Sequence, residues 1–291
     1  MIYLDSFKFP NDKLEKLPYS YIPTNIYPWK FLSSKDFFGI DCEKITILYG
    51  GNGSGKSTVL NTIAQRIGIQ RDTPFNRGFF HYDDFINRCS YKVNPLFRGD
   101  LKSCTTMITS DDIFDSIIDT RKANLQHELQ TEALQDFFGD IPTIRHVDCE
   151  DPDSIDNYVR MANAKKYAKK RSRIGFIRNE IGDKERGYSN GETAYLRLIR
   201  RITKGLFLLD EPEKSLSARW QSKLAEFIKM SADSCDCQFI IATHSPFLLG
   251  IEGAKIYNLD EEYVTISKWH ELESTKLYYE LFRKLDDKYQ R

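Results

Sequence analysis

Ile45-Thr46-Ile47-Leu48-Tyr49-Gly50-Gly51-Asn52-Gly53-Ser54-Gly55-Lys56-Ser57-Thr58 decides the reading of this chain. A short strand-like segment runs straight into G-x-x-x-x-G-K-[ST], the pattern of a phosphate-binding loop. Glycines at 50, 51, 53 and 55 let the backbone curl with its N–H groups pointing inward, a nest that suits an anionic phosphate. A helix starting near Gly55 would aim its positive N-terminal end at the same point. Gly50, Gly51, Asn52, Gly53, Ser54, Gly55, Lys56, Ser57 and Thr58 are therefore expected to hold a nucleotide. Lys56 would reach the β- and γ-phosphates, and the Ser57 hydroxyl would ligate Mg2+. A chance glycine-rich turn would lack the flanks seen here. An apolar strand precedes the loop, and Val59, Leu60, Ile63 and Ile67 follow it at helical spacing.

The rest of the chain sets limits. Its 291 residues can bury a full core as one large domain, or as one domain carrying an inserted subdomain. Charge is balanced at 42 basic and 42 acidic residues, so no global field draws the chain to nucleic acid or membrane. Met1–Pro10 alternates apolar and polar residues as a strand does, unlike a secretory signal. The apolar runs Leu206–Leu209 and Phe239–Ala242 are strand-sized and too short to span a bilayer. The six cysteines form no CxxC pair; Cys235 and Cys237 are the nearest, and the set reads as free thiols in a reducing cytoplasm.

In chain order, strands are expected at Ile2–Phe9 and Lys44–Tyr49, around a proline- and aromatic-rich stretch. Tyr27 or Trp29 in that stretch could offer a shelf for adenine, although packing on a sheet is the simpler reading. A helix is expected from Lys56 to Ile67, stopping at Gly68, and a strand over Gly78–Phe85 that ends in acids. From residue 88 to 186 the pattern turns helical. Ser110 reads as an N-cap with Asp111 and Asp112 in the first turn, the helix continuing to about Phe138. A second helix over Ser154–Arg173 ends in a basic run, Lys165 to Arg173, which reads as a solvated face or a contact for a phosphate backbone. After Tyr188 the expected order is helix (Gly191–Ile202), strand (Leu206–Leu209), helix (Ala218–Met230) and strand (Gln238–Ala242). Strands near Lys255–Leu259 and Tyr263–Lys268 and a helix from Ser274 complete it. The fold class is α/β. The expected division is a core of 1–87 and 187–291 with a mostly helical insertion over 88–186.

Three later segments carry chemistry beside the loop. Leu206-Phe207-Leu208-Leu209-Asp210-Glu211-Pro212 is a hydrophobic strand ending in two carboxylates. It sets Asp210 at the Mg2+ shell and Glu211 where it can accept a proton from an attacking water. Ile240-Ile241-Ala242-Thr243-His244-Ser245 is a buried strand ending in a histidine, which suits a γ-phosphate contact or a core-edge histidine. Tyr188-Ser189-Asn190-Gly191-Glu192 precedes a helix and offers a second anion site, or an N-cap by Ser189 with Glu192 in the first turn.

Together, GGNGSGKST, YSNGE, LFLLDEPE, Ser-Leu-Ser and IATHS resemble the ABC-type ATPases, and within them the compact SMC/Rad50-like AAA-family ATPases of bacteria. The resemblance covers roughly 1–85 and 186–270. It implies a P-loop NTPase fold of ABC-ATPase type. It places Lys56 and Ser57 on Walker A, Ser189, Asn190, Gly191 and Glu192 on the signature, and Asp210 and Glu211 on Walker B. Ser215-Leu216-Ser217 falls on the D-loop and His244 on the switch histidine. Tyr188 and Asn190 depart from the usual signature. No glutamine ends the Gly78–Phe85 strand; His81, Asp83 or Asp84 stands there instead, an Asp could bind the metal, and Asp83 is the candidate third ligand.

The same resemblance implies ATP and Mg2+ as ligands and a head-to-tail homodimer, or a higher homo-oligomer, closing around ATP. Hydrolysis would release it and drive a separate effector. Relatives of this kind often serve bacterial anti-phage systems in which the effector is a nuclease or toxin. The alternative is a DNA-bound repair or maintenance ATPase of SMC/Rad50 type, in which the basic run meets nucleic acid. A transporter subunit and a small-molecule kinase fit less well, and no membrane partner is expected.

Overall fold

The computed structural model describes residues 1–11, 27–69, 82–115, 117–119 and 190–286. Nine strands among them build two sheets: β1 (Leu4–Lys8), β2 (Gly39–Asp41), β3 (Ile45–Tyr49), β4 (Ser90–Val93), β5 (Thr105–Thr109), β6 (Gly205–Asp210), β7 (Cys237–Thr243), β8 (Lys255–Asn258) and β9 (Thr265–Ser267). The larger sheet runs β5-β6-β7-β3-β8-β9 and the smaller β2-β1-β4. In the larger sheet β5 to β8 are mutually parallel, and β9 adds antiparallel at the edge. Every residue of β3 and β7 is buried, as are the first five of β6. Continuous apolar runs are what a parallel sheet covered on both faces demands.

Parallel pairing gathers the C-terminal ends of these strands on one edge of the sheet, where α/β folds place their ligands. Thr109 aligns with Asp210, Asp210 with Ala242, and Tyr49 with Thr243. The residues that follow each end, Gly50, Glu211 and His244, therefore leave the sheet side by side. The smaller sheet is antiparallel, with β1 between β2 and β4. Gln238 of β7 joins the two sheets. Fully buried, its Oε1 accepts the N–H groups of Tyr3 (2.8 Å) and Leu4 (2.9 Å), and its Nε2 donates to the carbonyls of Leu4 (2.8 Å) and Glu43 (3.1 Å).

Among the described residues the bounded helices are α1 (Trp29–Ser34), α2 (Lys56–Ile67), α3 (Tyr82–Arg88), α4 (Asn190–Arg201), α5 (Ala218–Ser234), α6 (Pro246–Leu249) and α7 (Glu273–Lys284), and a further helix starts at Ser110 directly after β5. No described helix is long and apolar enough to cross a membrane. The described cysteines, Cys42, Cys89, Cys104, Cys235 and Cys237, are free thiols.

Several sequence expectations are corrected. Tyr82–Phe85 is helical: Tyr82, Phe85 and Ile86 are buried at three- and four-residue spacing, with Asp83 and Asp84 in the first turn and Arg88 in the last. The aromatic content of the stretch suggests a strand, but its spacing is helical. The core also extends past residue 87. β4 pairs with β1, and β5 pairs with β6, so the segment 88–114 contributes to both sheets. The chain divides into one unit of Met1–Phe114 with Ser189–Arg291 and a second of Asp115–Tyr188. At the helix that follows β5 the cap is Thr109, not Ser110. Thr109 Oγ1 accepts the Asp112 N–H (3.3 Å) and Asp112 Oδ2 accepts the Thr109 N–H (2.9 Å), a reciprocal capping box. The expected helices beyond residue 119, the basic run 165–173 and Ser189 lie outside the described residues.

Candidate active site

β3 delivers the chain into the glycine loop, and α2 begins at Lys56. Gly53 (φ 82°) and Gly55 (φ 98°) occupy the left-handed region that side chains disfavour. A Cβ on Gly55 would also stand 2.4 Å from Phe31 Cε1, whereas one on Gly53 would meet open space. Ser54 Oγ is buried in the loop without a hydrogen-bond partner among the described residues. The start of the loop is tied down by Asp260, whose Oδ1 accepts the Gly51 N–H at 2.7 Å.

Lys56 is only 4% exposed, and its ammonium donates to the carbonyls of Gly50 (2.6 Å) and Gly51 (2.8 Å). It also lies 3.6 Å from Glu211 Oε1. Ser57 Oγ donates to Asp210 Oδ1 at 2.9 Å, bridging positions 153 residues apart in sequence. Burial pushes the Asp210 carboxyl up to about 6; the Ser57 hydrogen bond opposes the shift and the Glu211 charge adds to it.

Glu211 takes φ 48°, a left-handed conformation unusual for a residue with a side chain. The turn ends β6 abruptly, while the Glu211 N–H still bonds the Ala242 carbonyl at 2.9 Å. Its carboxylate stays buried and faces three cationic or titratable groups: Lys214 as a direct ion pair, Lys56 at 3.6 Å and His244 Nδ1 at 3.7 Å. Burial raises its pKa, but Lys214, then Lys56 and His244, outweigh burial and hold it below the ordinary carboxylate value. Lys214 is raised in turn, chiefly by its hydrogen bond to Glu211.

His244 follows β7 and is 49% exposed on its side chain, the ring nitrogen Nδ1 lying between Glu211 and Glu213. Glu213 is 4% exposed; its Oε1 accepts the Thr243 hydroxyl at 2.6 Å and the His244 N–H at 3.1 Å. Thr243 Oγ1 accepts the Ser245 N–H (3.0 Å), Ser245 Oγ donates to Gln221 Oε1 (2.8 Å), and Gln221 Nε2 donates to the Leu216 carbonyl (2.9 Å). A chain of hydrogen bonds thus runs from the acidic turn after β6 through the end of β7 to the Ser215–Ser217 turn.

Lys56, Ser57, Asp210, Glu211 and His244 are therefore brought together as the sequence suggests. Asp83 is not: it sits exposed in the first turn of α3 rather than at a strand end, and Asp84 beside it pairs with Arg88 at 3.3 Å. Among the described residues no group of three His, Cys, Asp or Glu is arranged to hold a metal ion. Asn190, Gly191 and Glu192 open α4, where a Cβ on Gly191 would lie 3.4 Å from Trp220 and 3.6 Å from the Ser215 carbonyl. Of the two aromatic-shelf candidates, Trp29 is buried against Phe85 with ring centroids 5.2 Å apart. Tyr27 is exposed, with its hydroxyl on Thr58 Oγ1 and its ring 5.4 Å from that of Phe31. Glu213, Lys214 and Asp260 were not singled out by the sequence. The third carboxylate of Asp-Glu-Pro-Glu is the signal that could have exposed Glu213.

The expected consequence of the Asp210 environment is a pH-dependent stability. Its folded pKa of about 6 exceeds its unfolded value of 3.8, so its stabilising contribution is complete below pH ~4 and lost as pH rises through about 6. Asp210→Asn keeps an acceptor for Ser57 and removes the charge. In Mg2+- and nucleotide-free buffer the variant should gain roughly 2 kcal/mol over wild type at pH 8 and almost nothing at pH 4, measured as urea midpoints. An equal difference at both pH values would contradict the raised pKa.

A glycine loop on a buried parallel strand, a loop lysine and serine, and an Asp-Glu pair from β6, one strand away across β7, make up a P-loop-type site at the C-terminal edge of a parallel sheet. Residues 189–250 match the family model described as "AAA domain, putative AbiEii toxin, Type IV TA system". No curated protein matches the sequence. Among solved structures, the Smc head domain of Pyrococcus furiosus, with an extended coiled coil and bound to the C-terminal domain of ScpA, is 14% identical at a TM-score of 0.41. The alignment covers 97% of this chain and 100% of that one. CbiO1 of Clostridium perfringens, part of the ABC transporter complex CbiONQ, is 15% identical at a TM-score of 0.39, covering 98% and 95%.

Proposed function

We propose that the chain binds and hydrolyses Mg-ATP, and that nucleotide closes two copies head to tail to govern a separate effector. The observation that carries the proposal is the convergence of Ser57 with Asp210 at 2.9 Å and of Lys56 with Glu211 at 3.6 Å, across β3 and β6. A hydroxyl and a carboxylate are hard oxygen donors of the kind Mg2+ takes, and the two already touch. The orphaned Ser54 hydroxyl and the open space beside Gly53 fit a loop shaped around phosphate. When bound, Mg2+ neutralises charge on the β- and γ-phosphates.

The protein's own groups then divide the work. Lys56 exchanges the Gly50 and Gly51 carbonyls for phosphate oxygens, so that its charged donor meets charged acceptors in place of neutral ones. Glu211 accepts a proton from the attacking water as the water oxygen bonds to the γ-phosphorus and the bond to ADP breaks. Its depressed pKa keeps it ionised and able to act as a base at neutral pH. His244, beside Glu211, offers a hydrogen bond to the departing phosphate. Ser189, Asn190, Gly191 and Glu192 would cap the nucleotide of the second copy, and Tyr27 would carry the base. A family description that names a toxin–antitoxin system supports an effector partner, and bacterial anti-phage defence is the setting we favour.

Wild-type protein should bind a fluorescent ATP analogue and release phosphate in a Mg2+-dependent manner. Lys56→Ala should lose at least about tenfold in affinity, from about 1.5–3 kcal/mol of charged hydrogen bonding, and all detectable turnover. Equal binding by a folded Lys56→Ala protein would remove the loop from the site.

A further inference from the structure

We infer that Glu213 is a positioning residue that sets where His244 stands relative to Glu211, an inference that rests on the ATPase reading above. Three groups converge on one oxygen. Glu213 Oε1 accepts the Thr243 hydroxyl at 2.6 Å and the His244 N–H at 3.1 Å, and His244 Nδ1 lies 3.8 Å away. The other oxygen, Oε2, is buried without a hydrogen-bond partner among the described residues. Burying a carboxylate is costly unless both oxygens are satisfied. Here one oxygen serves as a hub and the other gains nothing from the described residues, which is a poor arrangement for a purely structural staple.

The location of the hub gives it its role. Glu213 belongs to the turn after β6, two residues past Glu211, while Thr243 and His244 end β7. The same two strand ends carry the carboxylate and the imidazole that face each other at 3.7 Å. The His244 ring approaches both carboxylates at distances longer than a hydrogen bond and is half exposed, so its own side-chain contacts fix it weakly. Its position is set through its backbone. That backbone is held to the Glu211 turn from two sides, by Glu213 on the His244 N–H and by the Glu211 N–H on the Ala242 carbonyl. Removing Glu213 releases one of these ties and leaves the Thr243 hydroxyl and the His244 N–H without their acceptor.

Glu213→Gln separates this role from charge. A glutamine carbonyl at the Oε1 position accepts from the same two donors, the Thr243 hydroxyl and the His244 N–H, and its NH2 replaces an oxygen that has no described partner. The expected result is that Glu213→Ala lowers kcat at least tenfold with KM within threefold of wild type, and that Glu213→Gln recovers kcat to within threefold. In the His244→Ala background, Glu213→Ala should cost less than twofold more, because it acts through the residue already removed. Wild-type kcat in folded Glu213→Ala, an equal tenfold loss in both backgrounds, or a glutamine variant as slow as the alanine one would overturn the inference.

A second readout needs no turnover. The chain has five histidines, so imidazole and amide spectra of nucleotide-free protein can resolve His244. Its ring and amide signals should move in Glu213→Ala and return in Glu213→Gln, with circular dichroism unchanged. Unmoved signals would overturn the placement of His244 even if hydrolysis is measured. Shifted signals in a protein without ATPase activity would leave that placement standing while the ATPase reading fails.

Discussion

Glu211→Gln protein is expected to bind Mg-ATP and to lose two to four orders of magnitude in turnover, roughly the contribution of a positioned general base. The amide is nearly isosteric with the carboxylate but cannot take a proton from water. It also removes the negative charge that Lys214 and Lys56 face, so those cations become available to the γ-phosphate. Binding should therefore be kept or strengthened while hydrolysis stops. If nucleotide closes two copies, the trapped state accumulates, and the mass in light scattering should approach twice 34.0 kDa with Mg-ATP and return to 34.0 kDa without it. Two readings are tested separately by this one variant. Turnover within threefold of wild type would remove Glu211 as the base, whatever the mass. A mass of 34.0 kDa under every nucleotide condition would remove the ATP-closed dimer, whatever the rate.

The conformation of Glu211 bears on that expectation. A left-handed φ costs on the order of 1 kcal/mol for a residue with a side chain, and it is kept here by the Ala242 carbonyl and by the ion pairs around the carboxylate. Glutamine loses the ion pairs but keeps the backbone bond, so the turn should survive. A glycine at this position would relieve the backbone and lose the base, and it makes a useful control for strain.

How much of this was legible in the sequence follows from the range of the interactions involved. The phosphate loop was readable because its signals are local: α2 begins at Lys56 and ends at Gly68 in the left-handed conformation, as the glycines require. β6 and β7 were readable because strands buried on both faces are nearly unbroken apolar runs. The segment 88–114 was not. β4 alternates exposed and half-buried residues, and β5 is identified as core only by its pairing with β6. Tyr82–Arg88 was missed because aromatic content outweighed spacing, although Tyr82, Phe85 and Ile86 mark one helix face. The strand reading puts Asp83 at a strand end, where the chain is helical. Glu213 and Asp260 share another reason. Each acts on a residue brought near by strand order, 30 and 209 positions away, and no local pattern announces such a partner.

Gln238 is the extreme case of that long-range kind, and its loss should be the most destabilising single change in the described core. It is the second residue of a strand whose residues are all buried, and four backbone groups depend on it: the N–H groups of Tyr3 and Leu4 and the carbonyls of Leu4 and Glu43. Alanine would leave them without this partner, the three at Tyr3 and Leu4 in a place water does not reach. Each orphaned group costs about 1–3 kcal/mol, and the void adds more, so a loss of roughly 4 kcal/mol is expected. Against a usual total of about 5–15 kcal/mol, much of the population would unfold at modest urea. Gln238→Glu makes the sharper comparison. It keeps an oxygen for the Tyr3 and Leu4 N–H groups but sets a second oxygen against the Leu4 and Glu43 carbonyls, so it should be destabilised comparably despite its similar shape. A fall in urea-derived stability of less than about 1 kcal/mol for both variants would mean that packing alone holds β1 to β7. Because β1 is paired on both sides within the smaller sheet, the same loss should expose Tyr3 and Leu4 amides to hydrogen exchange before those of β3.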